Sequence, residues 1–209
     1  MIKNIAIHHS GGIGNNLTSS AFLTWQHINQ AHKTRWNFPS QYIKDSYGGY
    51  NVVYDPKDRS FHQFRAVGEE TAAQKGSNFD TFSLCIIGNF NQTPQGSPLR
   101  SVDPLSQQTI DDVVDFLVNL LYNRHNLVVV DKLNLSAVRI YPHRFFQSTD
   151  CYGTFLDDMK FRKLVINKIC WKIQKQITLI MAVIADLKAK RKLGKLGKLG
   201  FADRGCEAL

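Results

Sequence analysis

The sequence predicts an α/β domain followed by a helical, basic C-terminal segment. Short apolar runs of strand length alternate with segments of helical periodicity, which argues for an α/β layer. One run, Phe82 to Phe90, is almost continuously apolar, as expected of a central strand covered on both faces. Charge sets the domain boundary: residues 1 to 159 hold 13 Lys and Arg against 14 Asp and Glu, whereas residues 160 to 209 hold 13 against 3. The whole +9 net charge of the 209-residue chain is therefore an excess of its last quarter. With 43% hydrophobic residues, the chain can bury one full core but not two large ones. We expect a folded domain at 1–158, an amphipathic helix at 159–191 and a basic flexible tail at 192–209.

Taken in order, Asn4 to His9 reads as a short buried strand whose end carries two histidines and meets the Gly11-Gly12 pair, where a tight loop begins. From about Thr18 to Trp36, apolar Phe22, Trp25, Ile28 and Trp36 recur at helical spacing until Pro39 ends the pattern. Tyr50 to Asp55 and Ser60 to Ala66 are strands joined by a turn beginning Asp55-Pro56-Lys57-Asp58. Asn91 to Pro104 has loop composition, and Ser106 can cap a helix running to about Arg124. Ile110, Val113, Val114, Leu117 and Leu121 form its core-facing stripe.

The first ten residues leave no room for a signal-peptide core, so synthesis in the cytoplasm is the expectation. Cys85, Cys151, Cys170 and Cys206 lack a short paired spacing, which speaks against a disulfide framework and against a four-cysteine zinc site. One cysteine acting with histidines stays open. His143 and Cys151 lie in a loop-like segment, and a catalytic zinc site takes three nitrogen or sulfur ligands so that water holds the fourth position. Local chemistry alone favours a surface histidine and a buried cysteine over a metal site.

Four ordered motifs decide between these readings. They are Ile-Ala-Ile-His-His-Ser-Gly-Gly at 5–12, Gly-Gly-Tyr-Asn-Val-Val-Tyr-Asp at 48–55, Asn-Phe-Asp-Thr-Phe-Ser-Leu-Cys-Ile-Ile-Gly-Asn-Phe at 78–90, and His143-Arg144 followed after five residues by Asp-Cys-Tyr-Gly. Over about residues 4 to 157 this pattern resembles the type 2 N-acetylmuramoyl-L-alanine amidase family, which includes phage lysins and the peptidoglycan recognition proteins.

The resemblance implies a central mixed β-sheet flanked by helices, with a zinc site in a groove at one side. It implies His8, His143 and Cys151 as zinc ligands, Tyr50 and Thr149 as hydroxyl groups assisting the water or the developing oxyanion, and Arg65 and Asn78 as contacts to the stem peptide. It further implies bacterial peptidoglycan as substrate and an endolysin-type hydrolase acting at the cell wall after release. A recognition module that binds muropeptides without cutting them is the alternative. Alternation along the strand turns His9 away from His8, giving it a structural role.

Three departures from the family pattern stand out. Asn51 replaces a frequent histidine, Tyr152 a frequent proline, and Leu84-Cys85-Ile86-Ile87 has no carboxylate where some members place a glutamate base. Glu69 and Glu70 read as solvated loop residues, and His27, His32, His62 and His125 as surface or partly buried ones.

In the C-terminal segment, Ile166, Cys170, Ile173, Ile177, Ile180, Ile184 and Leu187 form a heptad seam that invites self-association or packing on the catalytic domain, with interfacial membrane contact a further option. The apolar stretch 177–185 is far below the roughly 20 residues needed to span a bilayer. Lys192 to Gly200 repeats Lys-Leu-Gly three times, too glycine-rich for a stable helix of its own, and its charge suits anionic wall polymers or lipid headgroups. Nothing in the chain suggests specific nucleic-acid recognition.

Overall fold

The computed structural model describes residues 3–11, 24–74, 76–90, 105–123, 139–146, 148, 151 and 160–202, with side chains as far as Arg191. Its elements are β1 (Asn4–His9), α1 (Trp25–Trp36), β2 (Val52–Asp55), β3 (Ser60–Gln63), β4 (Thr81–Ile86), α2 (Gln107–Asn123), β5 (Ile140–Pro142), a 3-10 turn (His143–Phe145) and α3 (Lys160–Ala202). The described strands form one mixed sheet in the order β3-β2-β4-β1-β5. Only β3, which follows β2 through a hairpin, pairs antiparallel; β2 with β4, β4 with β1 and β1 with β5 run parallel.

The α/β expectation is met, and the reason is visible in burial. β4 lies between two parallel neighbours and every one of its residues is buried, as are Ile5 to His9 of β1. Such strands take apolar side chains on both faces, which is why Phe82 to Ile86 is apolar but for Ser83. Ser106 caps α2 by accepting the Thr109 N–H at 3.1 Å, and all five residues of the expected stripe on α2 are buried. At the hairpin, Asp55 pairs with Ser60 and Arg59 adopts φ 56°, so the turn closes one residue beyond the four singled out in the sequence.

The chain divides into two compact units, residues 1–166 and 167–209, with α3 running from the first into the second. In the first, α3 buries Phe161 and Val165, while Ile166, the first member of the expected seam, is only half-buried. In the second, seam members Cys170, Ile177, Ile180, Ile184 and Leu187 are exposed. The helix expected to stop at 191 continues to Ala202, through the Lys-Leu-Gly repeat. Elongating an existing helix needs no new nucleus, and lysine and leucine are good helix formers, so three glycines at about 1 kcal/mol each do not end it.

Candidate metal centre

β1 and β5 run parallel with Ile7 opposite Pro142, so the residues that follow, His8 and His143, leave the same sheet edge side by side. Their ring centroids are 4.2 Å apart. His8 is buried at the C-terminal end of β1, and His143 opens the 3-10 turn directly after β5. Cys151 is brought in by backbone contacts: its carbonyl accepts the Arg144 N–H at 2.8 Å, and its Sγ accepts the His9 N–H at 3.3 Å. The possible ligand atoms of His8, His143 and Cys151 all lie within 4.8 Å of one another, close enough to bind one metal ion.

The chemistry of the donor set fits such an ion. His143 Nε2 is buried and has no hydrogen-bond partner among the described residues, a state that costs a polar atom on the order of 1–3 kcal/mol unless something binds it. Burial, followed by the nearby His143 and His9, lowers the His8 pKa well below its ordinary value, and burial lowers that of His143 to about 4, so both imidazoles stay neutral with a lone pair to give. Burial raises the Cys151 thiol to about 12, against smaller lowering effects of the His9 backbone and Arg144. A cation must displace that proton to gain the thiolate.

The two nitrogens of His8 face different neighbours. Nδ1 lies 3.8 Å from Cys151 Sγ, whereas Nε2 lies 2.6 Å from Gln74 Nε2. Gln74 is fully buried and also contacts Ser83 Oγ, at 2.7 Å from Nε2 and 3.0 Å from Oε1. Nothing in the sequence around Gln74 announces this residue; it is found only because the loop before β4 folds back over β1. Asn78 builds that loop, its Oδ1 accepting the backbone N–H groups of Ala73 at 3.2 Å and Gln74 at 2.7 Å. His9 takes the structural role expected of it, with Nδ1 accepting the Phe90 N–H at 3.1 Å.

Tyr50 joins the cluster from the segment before β2, its ring 5.1 Å from that of His8 and 5.5 Å from that of His32. Gly48 lets the loop press close: a Cβ there would fall 1.6 Å from Phe64 Cδ2. Burial raises the Tyr50 pKa well above its ordinary value, with the Cys85 and Cys151 thiols adding to the effect, so the hydroxyl remains a donor. His32 fixes the loop by accepting the Gly49 N–H at 2.8 Å. Its placement beneath Tyr50 was not legible in the sequence.

Two expectations need correction. Arg65 does not present itself to a substrate: it is buried, donates to the carbonyls of Gly48 and Phe38, and pairs with Glu69 at 3.2 Å. Glu69 is not a solvated loop residue either, being buried and accepting from Arg65, Ser40 and the backbone of Gln41 and Ala66. Both follow from one cause, since a loop-rich segment between β3 and β4 needs an internal charged clamp to satisfy its backbone. Asn51 is likewise a clamp, fully buried, its side chain donating to the Ala66 carbonyl and accepting from Ser83 N. Thr149, Tyr152 and His125 lie outside the described residues.

Neither protein-family models nor curated protein sequences yield a match to this chain. Solved structures do. The endolysin N-acetylmuramoyl-L-alanine amidase LysCS from Clostridium intestinale URNW superposes with a TM-score of 0.53 at 19% identity, over 78% of this chain and 82% of that one. The Ph2119 endolysin from Thermus scotoductus MAT2119 bacteriophage Ph2119 gives 0.53 at 13% identity, over 78% and 84%. The ectodomain complex of peptidoglycan recognition proteins LCa and LCx, which holds tracheal cytotoxin, gives 0.50 at 18% identity, over 74% and 78%.

The chain has the amidase and recognition-protein fold. That fold hosts both cutting and binding proteins, so the side chains at the β1–β5 edge must carry the functional argument.

Proposed function

We propose that this chain is a zinc-dependent N-acetylmuramoyl-L-alanine amidase, hydrolysing the amide between the lactyl group of N-acetylmuramic acid and the L-alanine of the stem peptide in bacterial peptidoglycan. The observation that carries this reading is the buried His8, His143 and Cys151 set with an orphaned His143 Nε2, beside the protonated Tyr50. Two imidazoles and one thiolate are zinc ligands, and three protein ligands are the number found where a position is left for chemistry. Zinc held there would supply Lewis-acid chemistry, polarising the lactyl carbonyl and making water a nucleophile near neutral pH.

The protein's own groups do the rest. Gln74 fixes the His8 ring so that Nδ1 faces Cys151, and the His9 N–H holds the Cys151 sulfur. Tyr50 donates to the oxygen that gains negative charge as the carbonyl becomes tetrahedral. Collapse of that intermediate expels the alanine amine, which takes its proton from Tyr50 or from solvent, since Thr81 to Ile86 of β4 offers no carboxylate. Thr149 is proposed as a second hydroxyl donor on sequence resemblance alone.

The endolysin neighbours support the reading of a phage or prophage lysin that acts on the cell wall. The test is digestion of purified peptidoglycan by zinc-loaded protein with and without chelator. New alanine amino termini without new reducing sugar ends, lost on chelation, are the expected result. Binding with neither product would instead support a recognition module, as in the complex that holds tracheal cytotoxin.

A further inference from the structure

The part of α3 in the second unit carries apolar side chains with no cover. Ile177, Leu179, Ile180, Met181, Val183 and Leu187 are each between 47% and 67% exposed. At about 100° per residue, these side chains sweep an arc of about 200°, far wider than the two-position seam of a coiled coil. The stretch 177–185 rises only about 13 Å along the axis, well short of a bilayer core of about 30 Å. Accordingly, no described helix is long and apolar enough to cross a membrane.

Charge selects the partner. Lys168, Lys172 and Lys175 precede the apolar band, and Lys188, Lys190 and Arg191 follow it. The acidic residue within the band, Asp186, is paired with Lys190 at 2.8 Å. The sequence continues with Lys192, Lys195 and Lys198 as the helix runs on to Ala202. Because both flanks are cationic, two copies of the helix bring like charges together whether they pair parallel or antiparallel. An anionic partner relieves that repulsion. A groove on a folded acidic protein covers a narrow stripe, whereas a fluid lipid surface accommodates a broad arc while lysine stems reach back to the phosphates. Trp171, 53% exposed with Lys175 Nζ 3.9 Å from its ring centroid, is an amphipathic group of the kind that settles at headgroup level.

We propose that the helix at 167–202 binds the surface of anionic lipid bilayers, lying in the interface with its apolar arc at the boundary between headgroups and acyl chains. This inference is independent of the zinc reading and calls on no residue of the metal centre.

The test is co-sedimentation of the full chain with vesicles of phosphatidylcholine mixed with phosphatidylglycerol, compared with phosphatidylcholine alone. Binding to the mixed vesicles only, weakened about tenfold or more by raising the salt past the point where surface charge is screened, is expected. The doubly substituted Ile180→Asp, Ile184→Asp protein should bind the mixed vesicles at least about tenfold less well while digesting peptidoglycan as before. Wild-type protein that stays in the supernatant, equal binding to both vesicle types, or a double variant that binds unchanged would overturn the proposal. So would a wild-type dimer in sedimentation equilibrium that the double variant abolishes, which assigns the arc to a second copy of the chain.

Discussion

Gln74 Nε2 lies 2.6 Å from His8 Nε2, the ring nitrogen on the far side from Cys151. A histidine that binds a metal through Nδ1 carries its proton on Nε2 and needs an acceptor there. The Gln74 amide can meet that need by presenting Oε1, since Ser83 Oγ beside it both donates and accepts. Gln74→Leu should therefore lower zinc affinity by about 10–100-fold in a chelator competition, the usual cost of losing such a partner, and Gln74→Glu should recover most of it. Unchanged affinity in Gln74→Leu would remove Gln74 from the site.

Cys151→Ala removes one of the three proposed ligands, the sulfur held by the His9 N–H. The expected outcome is loss of stoichiometric zinc and of amino-terminus release from peptidoglycan, with retention of the protein on insoluble peptidoglycan. Metal analysis after dialysis and a pull-down read the two halves separately. Full turnover in Cys151→Ala contradicts the amidase mechanism.

Tyr50→Phe keeps the ring between His8 and His32 and deletes only the hydroxyl. Removal of one oxyanion donor costs about 10²–10³ in kcat in comparable sites. Zinc content and KM should change little. A variant with wild-type kcat would leave solvent as the proton source and the metal as the whole of the oxyanion stabilisation.

Arg65→Ala strips the partner from buried Glu69 and leaves the carbonyls of Gly48 and Phe38 without their donor. Breaking such a pair costs about 3–5 kcal/mol because the remaining charge stays buried. Denaturant unfolding should show that loss. A stable variant with raised KM would restore Arg65 to a substrate role.

Burial, with Arg35 and Arg65 adding to it, lowers the His32 pKa from 6.5 to about 4. The unfolded chain takes up this proton first, so between those values the unfolded state binds more protons than the native one. Stability from this group is intact above pH 6.5 and falls as pH drops toward 4. In chelator, the urea midpoint should decline across that window, and less steeply for His32→Gln. Identical slopes would exclude His32 as a source of acid sensitivity.

The sequence showed what depends on local pattern. β4 was legible because a strand buried on both faces is mostly apolar, with only the small polar Thr81 and Ser83 among its residues, and α2 because its stripe and Ser106 cap are written within 17 residues. His8, His143 and Cys151 were legible as a set through family resemblance, and the fold brings them together. What escaped were residues whose work depends on a partner far along the chain. Gln74, Asn51 and the Arg65–Glu69 pair sit in segments of loop composition, and polar loop residues read as exposed until the sheet shows which of them are folded under. The end of α3 differs from the expectation for a different reason: a segment too glycine-rich to nucleate a helix alone can still be carried as the continuation of one, where lysine and leucine offset the cost of its glycines.

The pairing of Ile7 with Pro142 has a consequence for biosynthesis. His8 lies on β1, whereas His143 and Cys151, the residues that could hold a metal with it, follow β5. A growing chain cannot assemble the centre until β5 has emerged and docked on β1, so premature termination anywhere before that point yields a product without the means to capture metal.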